Sequence, residues 1–238
     1  EPVPPAPGAP AGPPTAWRYL CQFGSQEQNS HFNGPRGVAV NQHDQIIVAD
    51  FNHRVKVWEP VPPVLGAPAG PPIAWQYLCQ FGSFGSGHGE FNGPCGVAVN
   101  QHDQIIVSDS NNHRVQVWEP VPPAPGAPAG PPTAWRHLVS LGPKRGSREG
   151  HFKRPCGVTV NRHDQIVVAD SNNYRVQVWT PVAPAPPAKP ANWHYHAAFG
   201  DVRDFSSPSG IAMVNATNMI VVVDHGADRV QVIRMPSE

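Results

Sequence analysis

Histidine is the first residue type in this chain whose spacing suggests chemistry. The chain has 12 histidines, and two sets of them recur at intervals of about 60 residues. They are His43, His102 and His163, and then His53 and His113, with Tyr174 in the third place of the second set. Equivalent imidazoles from repeated units can converge on an axis and hold zinc. No carboxylate series accompanies them, so we interpret them as exposed turn residues and predict no metal and no other cofactor.

Residues 143–154 form the most asymmetric segment of a chain whose formal net charge is +0. Five Lys or Arg residues fall within 11 positions there, whereas the equivalent segments 25–30 and 83–90 are neutral or acidic. The binding candidates are Lys144, Arg145, Arg148, His151, Phe152, Lys153 and Arg154. Such cations hold phosphates, and Phe152 or His151 could stack on a base. RNA binding is therefore one hypothesis for this loop, and a merely solvated loop is the alternative.

Aspartate and arginine recur as a pair in every copy of the repeat. The pairs are Asp50/Arg54, Asp109/Arg114, Asp170/Arg175 and Asp224/Arg229. An Asp at the end of one strand and an Arg at the start of the next can meet across the turn, and the guanidinium fork suits a carboxylate. Because every copy has the pair, we predict a structural staple within each unit.

Other signals of enzymes and membrane proteins are missing from the sequence. It contains no Gly-x-Ser-x-Gly elbow, no phosphate loop and no paired carboxylates outside the repeated Asp positions. No window reaches the ~18 apolar residues of a membrane span. We therefore predict that this chain is not an enzyme and has no membrane partner.

The elements that must position these residues are four strands per unit. A short Val-Ala-Val strand, a continuous Ile-Ile-Val run and an alternating Arg-Val-x-Val-Trp strand follow one another. The fourth strand alternates an aromatic face with polar residues, as in Trp75-x-Tyr77-x-Cys79-x-Phe81, which is typical of a half-buried outer strand. Antiparallel four-stranded units repeated radially predict an all-β fold, the β-propeller.

The order Pro-x-Gly-Val-Ala-Val, then Ile-Ile-Val-Ala-Asp, then Asn-x-Arg-Val-x-Val, resembles the NHL repeat. The resemblance covers residues 31–58, 90–118, 151–179 and 205–233. It implies a propeller that is most often six-bladed, with four blades visible here. It also implies three functions: target binding within ubiquitin-ligase-like proteins, RNA binding, and, in related propellers, metal-dependent lyase or lactonase activity.

The two ends of the chain bear on closure of the ring. Residues 1–5 repeat at 59–63 and 119–123, directly after Trp58 and Trp118, so we interpret the chain as a piece of a longer protein. A fourth-type strand, Trp17–Phe23, comes first, and a third-type strand, Arg229–Ile233, comes last. Pairing of these two strands would complete the last blade, so the order of the strands permits closure, but it does not decide whether four blades close alone.

Proline-rich segments stand between the third and fourth strands. They are residues 59–74, 119–134 and 180–192, and residues 1–16 form a similar segment before the propeller at 17–238. Polyproline II stretches interrupted by glycine are the expected conformers. Docking of SH3 or WW-type domains is one interpretation. Solvated loops copied with the repeat are the one we favour.

Cysteine usage predicts reduced thiols. Cys21, Cys79, Cys95 and Cys156 show neither CxxC nor zinc-type spacing. A Cys95–Cys156 bridge would need neighbouring strands to come unusually close.

Taken together, these features predict a non-catalytic binding platform. A protein partner bound through one propeller face is the first hypothesis, RNA bound through residues 144–154 the second, and a metalloenzyme the third. The sequence fixes no compartment, although a cytoplasmic location is favoured.

Overall fold

The computed structural model describes residues 19–24, 31–62, 74–126, 130–142, 144–182 and 191–235. Within them the protein is all-β, with short 3-10 turns but no α-helix. Four antiparallel sheets form the blades of a β-propeller, as the sequence predicts. Among the described residues, no helix has the length and apolar character that crossing a membrane requires.

Each blade follows chain order from an inner to an outer strand. The first blade contains β1 (Pro35–Val40), β2 (Ile46–Asp50), β3 (Arg54–Pro60) and β4 (Trp75–Phe81). The second contains β5 (Pro94–Val99), β6 (Ile105–Asp109), β7 (Arg114–Pro120) and β8 (Trp135–Leu141). The third contains β9 (Pro155–Val160), β10 (Ile166–Asp170), β11 (Arg175–Pro181) and β12 (Trp193–Phe199). The fourth contains β13 (Pro208–Val214), β14 (Met219–Asp224) and β15 (Arg229–Arg234).

The core lies between neighbouring blades because both faces of each second strand are apolar. Val55 and Val57 of the first blade pack against Ile105 and Trp118 of the second, and all four are buried. Burying such side chains contributes about 1.5–3 kcal/mol each. The junctions between blades therefore hold the propeller together as much as the strand pairing does.

The propeller is open between its fourth and first blades. Inner strands pack in the series β1, β5, β9 and β13. A methyl group added to Gly37, Gly96 or Gly157 would collide with a backbone carbonyl of the next inner strand, whereas one on Gly210 would meet a side chain of its own blade. Val38 of β1 and Val230 of β15 are 66% and 61% exposed, so no blade among the described residues covers either of them.

Among the described residues, the N-terminal segment does not pair with the last strand. Residues 19–24 form no strand, residues 17 and 18 lie outside the described residues, and β15 pairs with β14 alone among the described strands. Phe23 packs on Trp58 and Trp75 of the first blade, with ring centroids 4.5 and 6.5 Å apart. Phe81 of β4 packs in the same way on Trp118 and Trp135 of the second blade, at 4.3 and 6.4 Å. The N-terminal segment therefore makes the inter-blade contact of an outer strand, although it forms no strand.

The proline-rich inserts leave and rejoin the sheet through one backbone hydrogen bond each. In each bond the backbone N–H of a valine donates to a backbone carbonyl at 2.8–2.9 Å: Val61 to Ala74, Val121 to Ala134, and Val182 to Asn192. Gln45 also donates to the Pro132 carbonyl at 2.8 Å, which ties the second insert to the first blade. Residues 1–18, 63–73, 127–129 and 183–190 lie outside the described residues, so docking of SH3 or WW-type domains stays a prediction.

The prediction of reduced thiols is wrong for two of the four cysteines. Cys95 and Cys156 form a disulfide between the inner strands β5 and β9, with Cα atoms 5.2 Å apart. The adjacent Gly96 explains this proximity, because it lets the two backbones approach closely. Cys21 and Cys79 are free thiols.

We expect Gly96→Ala to destabilise the fold far more than Gly210→Ala. At Gly96 the new methyl group meets backbone atoms of β9 that cannot move aside, which costs about 1–3 kcal/mol. At Gly210 the nearest atom belongs to the Val223 side chain, at 3.3 Å. Urea unfolding followed by tryptophan fluorescence measures both. Equal destabilisation would contradict the open arrangement at the fourth blade.

Candidate functional site

One end of every blade is built from two kinds of loop that are hydrogen-bonded to each other. The link entering a blade meets the turn between its second and third strands, through Phe51 to Gly34 (3.0 Å), Asn111 to Asn92 (3.1 Å), Asn172 to Lys153 (3.1 Å) and His225 to Ser207 (3.0 Å). We call this surface the loop face: links 31–34, 82–93, 142–154 and 200–207, with turns 51–53, 110–113, 171–174 and 225–228. All the residues predicted to bind a ligand lie on its third link.

A buried aspartate organises each part of the loop face. Asp170 is fully buried at the end of β10, and its Oδ1 accepts the backbone N–H of Lys153 at 2.7 Å. Its Oδ2 accepts hydrogen bonds from Asn173 (2.8 Å), Arg175 (2.9 Å) and Gln177 (2.8 Å). Burying a carboxylate is costly unless it is paired and hydrogen-bonded, and these donors meet that requirement.

The other predicted Asp/Arg pairs follow this geometry in two blades and depart from it in one. Arg114 Nε donates to Asp109 at 2.8 Å and Arg229 Nε to Asp224 at 3.1 Å. In the first blade the cation beside Asp50 is Lys56, with Nζ 3.3 Å from Oδ2, rather than the predicted Arg54. Lys56 is the repeat equivalent of Gln177, which donates to Asp170, so a side chain at this position reaches the aspartate of its own blade.

The same arginine also fixes the backbone of the basic link. Arg175 donates through Nη1 to the Ser147 carbonyl (2.9 Å) and through Nη2 to those of Arg148 (2.9 Å) and His151 (2.8 Å). Asn173 donates to the Gly146 carbonyl at 2.7 Å. The link is therefore held to the blade by charge-assisted hydrogen bonds, which are roughly twice as strong as neutral ones.

Four of the predicted binding side chains are exposed on this fixed backbone: Lys144, Arg145, Arg148 and Arg154. His151 and Lys153 are half-buried. Phe152 is fully buried and stacks on Trp179, with centroids 5.6 Å apart, so its predicted role in stacking on a base is wrong. This aromatic residue lies inside a polar link, yet it fills the junction between the second and third blades.

The second link has the same backbone but different side chains. Gly85 N–H donates to the Phe91 carbonyl at 3.1 Å, as Gly146 N–H does to that of Phe152 at 3.1 Å. Arg114 holds the carbonyls of Ser86, Gly87 and Glu90 at 2.7–2.8 Å. Ser83, Phe84, Gly87 and Gly93 thus stand where the third link has Lys144, Arg145, Arg148 and Arg154. The two links therefore share one backbone conformation, and only the third link carries positively charged side chains on it.

His113 belongs to the basic surface, although its place in the sequence did not show this. Its Nδ1 accepts the Arg154 backbone N–H at 3.1 Å, so the neutral ring with a proton on Nε2 fits the geometry. The pKa of His113 is lowered from 6.5, first because the ring is partly buried and then because Arg145 and Arg154 repel a further positive charge.

Aromatic side chains extend the loop face towards the first blade. Phe84 is 68% exposed, and its ring lies 4.8 Å from that of His53. The Arg36 guanidinium lies 3.9 Å from the centre of the Phe51 ring. Sequence reasoning overlooked Phe84, although its equivalence to Arg145 could have identified it.

The repeated histidines at 43, 102 and 163 lie at the opposite end of the blades. His43 and His102 contact Asp103 and Asp164 of the following blade, each with Nε2 3.2 Å from a carboxylate oxygen. Within the described ranges, no three His, Cys, Asp or Glu side chains are grouped so as to hold a metal ion.

Comparison with known proteins identifies the repeat. The family model of the NHL repeat matches residues 32–58, 91–118 and 152–179. Protein brain tumor of Drosophila melanogaster is 54% identical over 105 residues, 43% of this chain and 9% of that protein. B-box type zinc finger protein ncl-1 of Caenorhabditis elegans is 54% identical over 43 residues, 18% of this chain and 5% of that protein. The chain thus spans a small part of both relatives.

Solved structures share the architecture at low identity. A protein from Lactobacillus plantarum superposes with a TM-score of 0.57 at 10% identity, over 87% of this chain and 53% of that one. The dihydro-heme d1 dehydrogenase NirN gives 0.53 at 9% identity, over 86% and 35%. At these identities the likeness shows the fold alone.

We expect Arg175→Ala to lower the free energy of unfolding by about 3 kcal/mol, because it leaves the Asp170 carboxylate buried without its cation. Arg203→Ala is the control, since Arg203 pairs with Asp201 while both side chains are exposed, and its loss should leave the free energy of unfolding almost unchanged. Urea unfolding measures both. Equal losses of unfolding free energy in the two variants would show that the buried Asp170/Arg175 pair stabilises the fold no more than an exposed pair does.

We expect Arg145→Ser to raise the pKa of His113 towards its ordinary value of 6.5, because one of the two repelling cations is removed. The folded chain binds this proton less readily than the unfolded chain, so the His113 contribution to stability is lost as pH falls below 6.5. NMR titration of the imidazole Cε1–H measures the pKa. Arg162→Gln, at the opposite end of the blade, serves as the control, and an unchanged pKa in Arg145→Ser would contradict the assignment.

Proposed function

We propose, from the premise that this chain belongs to the NHL-repeat family, that its propeller is a non-catalytic binding platform. The ligand-binding surface is the loop face at the second and third links. The observation that supports this most strongly is the basic link itself, because Arg175 and Asn173 hold its backbone while four cationic side chains point outwards. Ordering the loop before binding removes an entropic cost that a flexible loop would meet on contact.

The charges of this link are free for a ligand. In the part of the chain that the structure describes, no Asp or Glu forms an ion pair with Lys144, Arg145, Arg148 or Arg154. An acidic surface of a protein partner would meet unpaired cations there, and matched potentials raise the rate and specificity of association. By contrast, the carboxylates of Asp109, Asp170 and Asp224 are buried and fully engaged in hydrogen bonds, which supports a non-catalytic role.

Single-stranded RNA is the second candidate, favoured by the exposed ring of Phe84. Its contact with His53 holds it on the loop face, one blade away from the basic link. Single-strand binders combine a cationic track with aromatic platforms, and stacking contributes about 1–3 kcal/mol per base. A role in selecting targets for ubiquitin ligation is a further prediction from the family, and it concerns the whole protein.

A link-swap variant tests the platform directly. It replaces Lys144, Arg145, Arg148 and Arg154 by Ser, Phe, Gly and Gly, the residues of the second link, so the backbone is preserved while four charges are lost. We expect capture of a partner by the immobilised propeller to be abolished in the variant and retained in Arg162→Gln. Equal capture by the link-swap variant and by Arg162→Gln would show that the partner binds outside the basic link.

Fluorescence anisotropy measures the affinity of the propeller for a labelled oligouridine across a salt series, and it distinguishes RNA binding from binding of a protein partner. Four phosphate contacts predict a slope of log affinity against log salt near −3, from roughly −0.7 per contact. The link swap should remove that slope, and Phe84→Ala should weaken binding at constant salt. No measurable affinity at low salt would exclude RNA and leave the protein partner.

A further inference from the structure

The basic link carries a serine whose hydroxyl takes no part in the network that fixes the link. Ser147 is exposed, and its backbone carbonyl accepts a hydrogen bond from Arg175 Nη1 at 2.9 Å. Among the described residues, none is hydrogen-bonded to the Ser147 Oγ. A group can therefore be added to this oxygen without breaking any of the hydrogen bonds that hold the backbone of the link.

Two cations precede Ser147 at defined positions in the sequence. Lys144 and Arg145 lie three and two residues before it, and both side chains are exposed. No other serine or threonine in the sequence has a Lys or Arg at both of these positions. Protein kinases select substrates partly by the pattern of charges around the acceptor hydroxyl, and an acidic substrate groove favours cations on its N-terminal side. Ser147 therefore has the surroundings that a basophilic serine kinase recognises.

The second link presents the equivalent serine without the cations. Ser86 is the repeat equivalent of Ser147 and is also exposed, and its carbonyl accepts a hydrogen bond from Arg114 Nη1 at 2.8 Å. Ser83 and Phe84 stand three and two residues before it. The two serines thus share their exposure and their backbone support. They differ in the charges that precede them, so the chain contains its own matched control.

We propose that Ser147 is a phosphorylation site for a basophilic serine kinase, and that its phosphate lowers the affinity of the basic link for acidic ligands. In the reaction the kinase transfers the γ-phosphoryl group of ATP to Ser147 Oγ. The bond from the γ-phosphorus to the oxygen that bridges it to the β-phosphorus breaks, and the Oγ–P bond forms. The hydroxyl proton passes to a base of the kinase, and ADP leaves with the bridging oxygen.

The phosphate changes the charge of the link substantially. Residues 144–154 contain five Lys or Arg residues and one Glu, which gives a formal charge of +4. A phosphoserine adds about −1.5 to −2 at neutral pH, together with three strong acceptor oxygens. Arg145 and Arg148 flank Ser147 on the surface of the link, and charge-assisted hydrogen bonds to the phosphate would engage them within the link. Fewer cations then remain for a partner.

The modification is tested on the folded chain with the catalytic subunit of cyclic-AMP-dependent protein kinase and Mg-ATP. Mass spectrometry of proteolytic peptides locates the phosphate, which we expect on Ser147 and not on Ser86. In a variant that combines Lys144→Ser with Arg145→Phe, the side chains of the second link stand on the same backbone. Its phosphorylation at Ser147 should be roughly tenfold slower, because two charge contacts with the kinase are lost.

The reciprocal variant moves the charge pattern to the second link. Ser83→Lys combined with Phe84→Arg should make Ser86 a substrate, because this serine already has the exposure and the backbone of Ser147. Equal labelling of Ser86 and Ser147 in the unaltered chain would overturn the assignment, and so would an unchanged rate at Ser147 without its two cations. A peptide of residues 141–152 that is phosphorylated while the folded chain is not would also overturn it, since the fixed backbone would then exclude the kinase.

The effect on binding rests on the proposed function, whereas the site of modification does not. Fluorescence anisotropy with a labelled polyglutamate as the acidic probe compares the chain before and after phosphorylation. We expect roughly tenfold weaker binding after it, because part of the positive charge is neutralised. Ser147→Ala treated with the kinase is the control and should bind like the unmodified chain.

The outcomes of this binding experiment separate the two proposals. Equal binding before and after phosphorylation would show that the phosphate does not regulate the link, although the basic surface binds anions. No binding of polyglutamate to the unmodified chain would contradict the proposed function and the regulation that rests on it. The phosphate mapped to Ser147 would stand in that case.

Discussion

The buried aspartate that ends the second strand of each blade is the constraint on which the loop face depends. A carboxylate with no solvent contact must receive hydrogen bonds, and the donors come from three places: the incoming link, the following turn and the third strand. By satisfying Asp170, Arg175 also reaches the carbonyls of the basic link. One electrostatic requirement thus determines the backbone of the link without specifying the side chains that it exposes.

This separation explains how one scaffold can carry different surfaces. The second and third links share their turns and their arginine anchors, yet one presents Ser83 and Phe84 and the other presents Lys144 and Arg145. The junction between the third and fourth blades shows the same logic at the opposite end, where Arg162 and Asn218 replace the Gln101 and Asp164 that are hydrogen-bonded between the second and third blades. Residues common to all copies maintain the blade, and residues that differ give each surface its chemistry.

The strand order and the half-buried outer strand were predictable, because period-two alternation and the repeat leave few alternatives. The burial of Phe152 was not, since a single aromatic residue in a polar link gives no periodic signal. The Lys56 contact with Asp50 was not predictable, because Arg54 and Lys56 both lie on the third strand and the sequence does not show which of the two reaches the carboxylate. Closure could not be predicted from the sequence, because matching strand types do not specify how far apart the two ends of the chain lie.

Native-state hydrogen exchange tests most directly whether the aspartate network fixes the links. The Lys153 and Asn92 amides each donate to a buried aspartate, at 2.7 Å in both cases. If the network is the organising interaction, both amides exchange slowly and at similar rates, despite the different charges of their links. Fast exchange of Lys153 alongside a protected Asn92 would show that the basic link is mobile, and would contradict the account of a preorganised binding surface.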